Sequence, residues 1–543
     1  MRRRLMMLNR KVDETRSYIK YIASSKVTPS FHDNGSPYYF GTEYNDAEST
    51  WDSETGEGVL VFNGNITNIP SNAFEYTDLQ LITEIPESVI EINSWAFRGC
   101  RKLESFIIPN TIMHIGYYSF NTCTNLKEIT IGENVIDFGG RDEINDGGGC
   151  FGLCYKLETV NWNAINCPDF IDTSNSPFSI DSMETSEVIN TPIKNVIFGN
   201  NVKNIPSRLF YKCSNIEGTI TIPSTCERIG ERAFQGCTKL NVVICKALTP
   251  PSIEFASTDT SFGASDGNVV FRYYENGWKI LPNLIIYVPE ESIELYKNDD
   301  NWSIYADRIF PIVEYNAIDL GLRTEDNKKI LFADKNIGST RPDVSGMYFQ
   351  WGDVVGHTAT IDTEEFNVKN TDDNYSFVWA TYKYSNDDGS EITKYNSIDN
   401  IAHLESMDDP AYIHIGKEWR CPTYEELGLL MDKNNFEIQF IDLDDNIITN
   451  TLNVGNVKGV KFISKISGFE GNNIMLPASG TGVENKVSTI YGTISVWAST
   501  VNNNKNAKYV YGYINKDNGN PIISVSSKSE KRYGRQIRGI KIE

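Results

Sequence analysis

The stretch "GERAFQGCTKLNVVI", residues 230–244, places Phe234 three residues before Cys237 and Leu240 three residues after it. A single cysteine in such a stretch could be a nucleophile, a metal ligand, half of a disulfide or a packing residue. The chain contains related copies of the stretch, and their spacing distinguishes between these roles.

Five further segments repeat the pattern, the first of them in a shortened form. They are "AFEYTDL" (73–79), "AFRGCRKL" (96–103), "SFNTCTNL" (119–126), "CFGLCYKL" (150–157) and "LFYKCSNI" (209–216). The phenylalanines of the six copies are 23, 23, 31, 59 and 24 residues apart. This spacing predicts a repeat of about 23 residues with two insertions.

Most copies continue into a run rich in strand-forming residues, such as "ESFIIPNT" and "KEITIGEN". A short strand and a turn cannot bury their apolar face alone, so the copies are expected to stack into a solenoid with one continuous core. The predicted repeat core consists of Phe97, Cys100, Leu103, Phe120, Cys123, Leu126, Phe151, Cys154, Leu157, Phe210, Cys213, Phe234, Cys237 and Leu240.

In this setting the cysteine is interpreted as a small buried hydrophobe. Disulfides between neighbouring coils, Cys100 with Cys123 or Cys213 with Cys237, stay open because stacked strands lie within bridging distance. A catalytic thiol is disfavoured, since no histidine recurs beside the cysteines and the whole chain has only five histidines.

These repeats resemble the BspA-like leucine-rich repeat family, which carries "AF-x-x-C-x-x-L" followed by "I-x-I-P". The resemblance covers about residues 58–315. The segment "LIIYVPEESIELYKNDDNWSIYADRIFPI" (284–312) resembles the end of such arrays, where a last strand gives way to a helix. We therefore expect a C-terminal cap with a helix that begins at Ser292 and runs to Lys297.

Residues 316–543 have a different composition and carry aromatic and glycine landmarks. Among them are "DLGL" (319–322), "EWRCPTYEELGLLM" (418–431), "IMLPASGTG" (474–482), "SVWAST" (495–500) and "RYGRQIRGIKI" (532–542). Their order resembles the Fibrobacter succinogenes major paralogous domain, which is related to C-type-lectin-like and formylglycine-generating-enzyme folds. The resemblance implies an α+β domain. The predicted fold class is thus multidomain and β-rich, a leucine-rich-repeat solenoid followed by a C-type-lectin-like domain.

Residues 316–543 offer only weak candidates for catalytic or metal-binding residues. The oxidase relatives need a reactive cysteine pair, whereas Cys421 stands alone and is interpreted as a core residue. The loops 386–391 and 442–446 are acidic but lack the spaced ligands of a calcium loop, so calcium is the less favoured alternative. No metal, cofactor or catalytic residue is predicted. The paired acids Asp408/Asp409 and Glu425/Glu426 leave a glycan-acting enzyme as a minor alternative.

Tyrosines in this domain are the candidate ligand contacts, because tyrosine offers a large amphipathic surface at low entropic cost. Trp351 and Trp497 are instead expected to be core anchors. In the alternating segment "YVYGY" (509–513) only one face can point outward. The candidate ligand-binding residues are Tyr382, Tyr384, Tyr491, Tyr509, Tyr511 and Tyr513.

The N-terminal residues 1–27 show apolar positions at spacings of three and four, which predicts an anchoring or oligomerising helix. Residues 28–57 are expected to be an extended linker. The helix would join the chain to other virion proteins or to further copies of itself as a homo-oligomer. The seam of this predicted helix is Leu5, Leu8, Val12, Ile19 and Ile22.

The chain carries 72 acidic and 50 basic residues, a formal net charge of −22. Such a balance disfavours a nucleic-acid groove. No run approaches the roughly 20 apolar residues of a membrane span, and the apolar run "LMML" (5–8) is too short for a secretory leader. We therefore predict no nucleic-acid partner and no membrane insertion.

Both resemblances imply a non-enzymatic recognition or adhesion protein. Without a leader, the favoured setting is the surface of a phage particle, as a fibre or decoration protein that binds a host-surface glycan or protein. The alternative is a leucine-rich-repeat adhesin on a bacterial cell surface. The two settings share the same chemistry of recognition and differ in location.

Overall fold

A computed structural model describes residues 16–30, 40, 43–139, 149–170, 177–178, 192–253, 270–274, 278–281, 284–354, 356–357, 377–453, 455–484, 486–488 and 490–543. The chain divides into two units, Met1–Tyr305 and Ala306–Glu543. The division falls earlier than the boundary at residue 316 that the composition predicts.

The first unit consists mainly of short strands joined by turns. Its strands are β1 Arg16–Ala23, β2 Thr50–Trp51, β3 Glu57–Asn63, β4 Asn68–Ile69, β5 Leu79–Glu84, β6 Glu91–Ile92, β7 Ser105–Ile107, β8 His114–Gly116, β9 Glu128–Ile131, β10 Asp137–Gly139, β11 Thr159–Trp162, β12 Asn195–Phe198, β13 Asn204–Ile205, β14 Gly218–Ile222, β15 Arg228–Ile229, β16 Leu240–Cys245, β17 Arg272–Tyr274, β18 Trp278–Ile280 and β19 Ile285–Val288. Helix α1 is Ile293–Asn298, within one residue of the predicted cap helix.

Parallel pairing between successive coils defines this unit. Strands β4, β6, β8 and β10 form one sheet, and β7, β9, β11 and β12 form another. In the second sheet Phe106, Ile129, Val160 and Val196 are aligned across the four strands and buried. One inward residue from each coil therefore meets its equivalent in the next, as the solenoid prediction requires.

Eight phenylalanine rings stack face to face through the repeats, and we call them the phenylalanine column. Centroids of neighbouring rings lie 5.1–5.9 Å apart, with interplanar angles of 10–21°. Every ring is at most 2% exposed. The column consists of Phe74, Phe97, Phe120, Phe151, Phe178, Phe210, Phe234 and Phe271.

Two members of the column lie outside the repeat copies that the sequence reveals. Phe178 fills the 59-residue gap between Phe151 and Phe210, and Phe271 continues the column beyond Phe234. Aromatic rings close both ends at steeper angles, with Phe40 against Phe74 and Trp302 against Phe271. The stacking thus continues through the insertions that interrupt the sequence period.

The repeat cysteines connect one coil to the previous one through their thiols. The Cys100 thiol donates to the Phe74 carbonyl at 3.0 Å, and Cys123 donates to the Phe97 carbonyl at 3.2 Å. Cys237 makes the same bond over 3.3 Å. All ten cysteines are buried and free, so the disulfides left open by the sequence do not form. The thiol is therefore a packing residue that also donates a hydrogen bond.

The N-terminal segment forms a strand, so the predicted helix is wrong over Arg16–Ala23. Strand β1 lies between β3 and β5 in an antiparallel sheet. Its buried and half-buried residues alternate, which places Ile19 in the core and Ile22 on the opposite face. Apolar spacings of three and four residues cannot be told from strand alternation over so short a run. Leu5, Leu8 and Val12 lie outside the described residues.

The predicted linker 28–57 is also packed where the structure describes it. Phe40 is 1% exposed and Tyr44 is 8% exposed. Strand β2 pairs with β3 through Thr50 and Trp51. These residues help β1 to cover the first coil, whose apolar side would otherwise face water.

The second unit is built from antiparallel sheets with two short helices. Its elements are β20 Ile309–Pro311, β21 Ala317–Arg323, β22 Lys329–Ala333, α2 Pro410–His414, α3 Tyr424–Leu429, β23 Phe436–Asp442, β24 Ile447–Ile448, β25 Val457–Ser464, β26 Asn473–Pro477, β27 Thr481–Val483, β28 Lys486–Ser488, β29 Thr493–Val501, β30 Asn506–Ile514, β31 Pro521–Glu530 and β32 Ile540–Ile542. Short 3₁₀ helices are Glu290–Ser292 in the first unit, Ser303–Arg308 at the division between the units, and Trp379–Thr381 and Ser406–Asp408 in the second unit.

Three of its sheets surround one hydrophobic core. The sheets are β21–β22–β32, β24–β23–β25–β26 and β29–β30–β31. Helix α3 adds Leu427 to this core and begins at the N-cap Thr423, with Glu426 completing the predicted capping box. This core packs against one face of the sheet β29–β30–β31. On the opposite face Ser495 and Trp497 of β29 are also buried, and the side chains of β30 are half-buried.

Truncating one ring tests the phenylalanine column. Phe120→Ala leaves a cavity between Phe97 and Phe151, so we expect the repeat unit to lose about 3–5 kcal/mol of unfolding free energy. Urea denaturation of the full chain, followed by circular dichroism, measures this loss. Tyr155→Ala is the matched control, because this ring is 53% exposed and its loss should cost under about 0.5 kcal/mol. Equal losses in both variants would contradict the prediction.

Thiol reactivity tests the burial of the cysteines. Burial raises the pKa of Cys100 and of Cys150 to about 12, so both thiols are protonated at pH 8. In the native chain we expect no fast reaction with a colorimetric disulfide reagent. After denaturation all ten thiols should react. A thiol that reacts at the rate of free cysteine in the native chain would show that its coil is open.

Candidate functional site

The sheet β29–β30–β31 has two unlike faces. On one face Val510 and Ile514 of β30 pack into the core with Ile494 and Val496 of β29. Tyr509, Tyr511 and Tyr513 alternate with these core residues on β30 and therefore point to the opposite face. Strands of nine, nine and ten residues make this a firm support for the tyrosines.

Tyr509, Tyr511 and Tyr513 form a row on the outer face, which we call the tyrosine face. The ring centroids of Tyr509 and Tyr511 are 5.8 Å apart, and those of Tyr511 and Tyr513 are 6.0 Å apart. All three side chains are half-buried. Their hydroxyls form no hydrogen bond within the described part of the chain, so each is available to a partner.

Four of the six residues paired with the row on β29 and β31 are small and polar, and the other two are Trp497 and Ile522. Ser524 lies opposite Tyr511 on β31, and Ser526 lies opposite Tyr509. On the other side Thr493 of β29 lies opposite Tyr513. Tyrosine beside serine and threonine combines flat apolar area with adaptable hydrogen bonding, the composition that binding loops of antibodies use.

One end of the row is fixed by a buried cation. The Arg535 guanidinium lies 3.9 Å from the centroid of the Tyr509 ring and 4.9 Å from that of Trp497. Its Nη1 also donates to Thr481 at 3.0 Å. Burial lowers the pKa of Arg535 to about 10, which still leaves it charged at neutral pH. This contact restricts Tyr509, while Tyr511 and Tyr513 lie further along the open part of the row.

The remaining candidate tyrosines have other environments. The expectation that Tyr382 is an exposed contact is wrong, because its side chain is 1% exposed and its ring packs against Trp379 and Tyr384. Tyr491 is half-buried, with its backbone N–H bonded to the Ala478 carbonyl at 2.9 Å. The structure therefore brings three of the six candidates together in one row.

Tyr384 belongs to a charged cluster that the sequence did not reveal. Asp408, 6% exposed, accepts hydrogen bonds from the Tyr384 hydroxyl and from Lys383 Nζ at 2.9 Å. It also accepts from Lys394 Nζ at 2.5 Å and from the Tyr395 hydroxyl at 2.7 Å. We call these five residues the Asp408 cluster. Two cations and two hydroxyls around one carboxylate make it a structural centre with no free oxygen lone pair to spare for chemistry.

Electrostatics in the Asp408 cluster favour the ionised acid. Burial by itself raises the pKa of Asp408, but the charge of Lys383 and the bonds from Lys394 and the two tyrosines outweigh it and lower the pKa to about 2. Lys531 lies beside the cluster and donates to the Tyr395 carbonyl at 2.7 Å. Its burial lowers its pKa to about 8, against the opposing charge of Asp399.

The other residues considered for chemistry are committed to the fold. The Cys421 backbone N–H donates to Asp409, and burial raises the pKa of the Cys421 thiol. Burial also lowers the pKa of His414 to about 4, so this ring is neutral at pH 7. Trp351 and Trp497 are each 1% exposed, which confirms them as core anchors.

The described residues contain neither a cluster of metal ligands nor a membrane-spanning helix. Among the described residues, no group of three or more histidine, cysteine, aspartate or glutamate side chains is placed to hold a metal ion. No helix within the described ranges is long and apolar enough to cross a membrane. In the acidic loop 442–446, Asp442 accepts from the backbone of Asp444 and Asn446, which closes a turn.

A family model for the BspA type leucine-rich repeat region matches the chain in six copies, over residues 59–165 and 147–254. Residues 59–254 are a BspA-type leucine-rich repeat region. Nothing in the comparisons identifies residues 316–543, so the resemblance of that segment to the Fibrobacter domain stays a prediction.

Solved structures of bacterial leucine-rich repeat proteins also match. A Bacteroides ovatus leucine-rich repeat protein is 20% identical, with a TM-score of 0.26, over 42% of this chain and 47% of its own. A T. pallidum leucine rich repeat protein is 19% identical, with a TM-score of 0.21, over 31% of this chain and 76% of its own. The chain thus spans about half the length of the B. ovatus protein.

A leucine rich cell surface protein from Faecalibacterium prausnitzii is 14% identical, with a TM-score of 0.14, over 47% of this chain and 96% of its own. No curated protein matches the chain. At these identities and TM-scores we take no property of the solved structures as shown for this protein.

Acid titration tests the Asp408 cluster. The folded pKa of about 2 lies below the unfolded value of about 3.9, so the stabilisation is complete above pH 5 and falls as pH drops toward 2. We expect Asp408→Asn to cost about 3 kcal/mol at pH 7, and the difference from wild type to be roughly halved by pH 3. Urea denaturation at both pH values measures it.

Asp387→Asn is the control, because this side chain lies in the exposed loop 386–391 and should change stability by under about 0.5 kcal/mol. A difference for Asp408→Asn that is the same at pH 7 and pH 3 would show that its carboxylate is not stabilised by the lysines.

Proposed function

We propose that this protein is a non-enzymatic recognition protein that binds a surface glycan or protein through the tyrosine face of its second unit. The observation that carries the proposal is the row of Tyr509, Tyr511 and Tyr513, half-buried, firmly backed and with hydroxyls that have no partner in the described part of the chain. Aromatic residues of this kind supply much of the energy at binding interfaces.

The geometry of the row suits an extended partner. Rings repeating every 5.8–6.0 Å present alternating apolar surfaces and hydroxyls along one strand. A flat glycan chain or a protein segment can lie across such rings, with its polar groups bonded to Ser524 and Thr493 at the sides. The net charge of −22 disfavours a strongly anionic partner such as nucleic acid.

The acidic, thiol and imidazole groups of this unit are already hydrogen-bonded or buried within the fold, which supports a role without catalysis. Asp408 is bonded to four side chains, and Asp409 accepts from the backbone of α2 and of Cys421. Cys421 is fully buried with a raised thiol pKa, and His414 Nε2 donates to the Val354 carbonyl over 2.7 Å. None of these groups is presented to a substrate as a free acid, base or nucleophile.

We propose a bacterial cell surface as the setting, because BspA-like repeats are typical of bacterial surface and adhesion proteins. The F. prausnitzii protein reported above is a leucine rich cell surface protein. The virion setting stays a prediction from sequence. Homo-oligomers and attachment through residues 1–27 also stay predictions.

Removing one ring from the middle of the tyrosine face tests the proposal. Tyr511→Ser should weaken binding of the full chain to immobilised surface glycans or proteins by about tenfold or more, because a central aromatic contact is lost. A glycan array and a panel of bacterial surface proteins supply the ligands, and biolayer interferometry measures affinity. Tyr155→Ser in the repeats is the matched control and should bind as wild type. Unchanged binding by Tyr511→Ser and by Tyr513→Ser would refute this surface.

A further inference from the structure

The two edges of the sheet β29–β30–β31 have unlike surroundings. Along the β29 edge, the N–H groups of Trp497, Ser499 and Val501 donate to carbonyls of other segments at 3.0, 2.8 and 2.9 Å. Strand β31 forms the other edge, and in the described part of the chain it pairs with β30 alone. One edge of the sheet is therefore closed by the chain itself, and the other is open.

The open edge presents the backbone of Ile523 and Val525. Because odd-numbered residues of β29 bond away from the sheet, its even-numbered residues exchange their bonds with β30. Alternation along β30 then bonds Tyr511 to its partner Ser524 on β31, so the residues on either side of Ser524 point outward. Neither the Ile523 nor the Val525 N–H has an acceptor in the described part of the chain. The Val525 carbonyl accepts only from the neighbouring Ser524 Oγ, at 3.3 Å.

Strand β31 is protected at its ends and not in its middle. Proteins commonly block an open edge with proline, with charge or with a bulge. Pro521 begins β31, and a bulge beyond Ser526 together with Lys528 lies toward its end. Between these devices residues 522–526 contain no proline, no charged residue and no shift of register. The unprotected segment is centred on Ser524.

A second copy of the same strand is complementary to this segment. With a two-fold axis through Ser524, Ile523 of one copy lies opposite Val525 of the other, and both free N–H groups meet carbonyls. The two Ser524 side chains then face each other, and serine is small enough for that close approach. A foreign strand would instead gain specificity from pockets for its alternate side chains, and serines beside the edge supply none.

We propose that β31 pairs antiparallel with β31 of a second copy of this chain, in the register centred on Ser524. The axis is perpendicular to the sheet, so the two three-stranded sheets become continuous and both tyrosine faces lie on the same side. Three strand spacings, about 14 Å, separate the two tyrosine rows. The pairing stands without the function proposed above, whereas its consequence, one ligand held by two rows, rests on that function.

Sedimentation velocity of the full chain tests the pairing. We expect the mean mass to rise from one chain toward two between about 5 and 500 µM, because so small an interface binds weakly. Ser524→Lys should weaken the dimer about tenfold or more, since two lysines would face each other across the axis. Ser53→Lys is the matched control, because this exposed residue in the turn before β3 receives the same charge, and it should dimerise as wild type.

Cysteine cross-linking tests the register. Ser524→Cys places two thiols opposite each other within disulfide range, so mild oxidation should link two chains on a non-reducing gel. Ser526→Cys lies on the same face but off the axis, and its equivalent in the second copy is about 13 Å away along the strand. This variant should give less than about a tenth of the linked product. The ten native cysteines are buried and free, which keeps the background low.

Several outcomes would overturn the proposal. They are a chain that stays monomeric up to about 500 µM, a dimer that Ser524→Lys does not weaken, and a cross-link that forms as readily through Ser526→Cys as through Ser524→Cys. A monomeric chain whose residues 521–530 are protected from hydrogen exchange by an added alternating threonine–valine peptide would assign the edge to a foreign strand. Thermal melts establish that the variants fold. If Ser524→Lys does not fold, Ser524→Cys decides alone, because a thiol is close in size to a hydroxyl.

Tyr511→Ser separates the pairing from the function proposed above. This variant removes a ring and leaves the β31 backbone unchanged, so dimerisation should persist while ligand binding falls. Failure of ligand binding in the wild-type chain would refute the tyrosine face and leave the mass measurement to decide the pairing. Loss of the dimer in Tyr511→Ser would show that the tyrosines, and not the β31 edge, join the two copies.

Discussion

The stacking of one phenylalanine ring on the next carries the repeat unit from Phe74 to Phe271. A single coil has strands of two to six residues and could not bury an aromatic ring by itself. Each ring becomes buried only when the coils before and after it are in place. The thiol bond from Cys123 to the carbonyl of Phe97 fixes the same coil-to-coil contact. Strand pairing, cysteine burial and the caps at both ends all follow from this mutual dependence.

The second unit depends on a different constraint, because strand β30 of its sheet β29–β30–β31 buries one face fully and the other only partly. Val510 and Ile514 anchor the inner face, and strand alternation then places Tyr511 and Tyr513 on the outer one. In the Asp408 cluster, two lysines and two hydroxyl groups compensate the cost of burying a carboxylate. Rigid support of this kind allows side chains on the surface to keep a fixed arrangement for binding.

The features that the sequence could not predict depend on contacts between residues that are distant in the chain. Phe178 lies in an insertion, so the repeat spacing does not predict its position in the column. Residues 16–23 carry apolar spacings that suit a helix, yet pairing with β3 and β5 satisfies their backbone as a strand. Tyr382 looks like a loop aromatic, but it is buried against Trp379 and Tyr384. In each case the neighbours that decide the conformation are distant in the chain.

By itself the sequence determined the repeat, its buried Phe, Cys and Leu positions, the cap helix to within one residue and the alternation of residues 509–513. These features are local or periodic, so neighbouring residues or repeated copies reveal them. Only the tertiary structure decided which tyrosines share a face and that Asp408 gathers two lysines and two tyrosines. Such groupings depend on how loops and strands from distant parts of the chain pack, and packing leaves no period in the sequence.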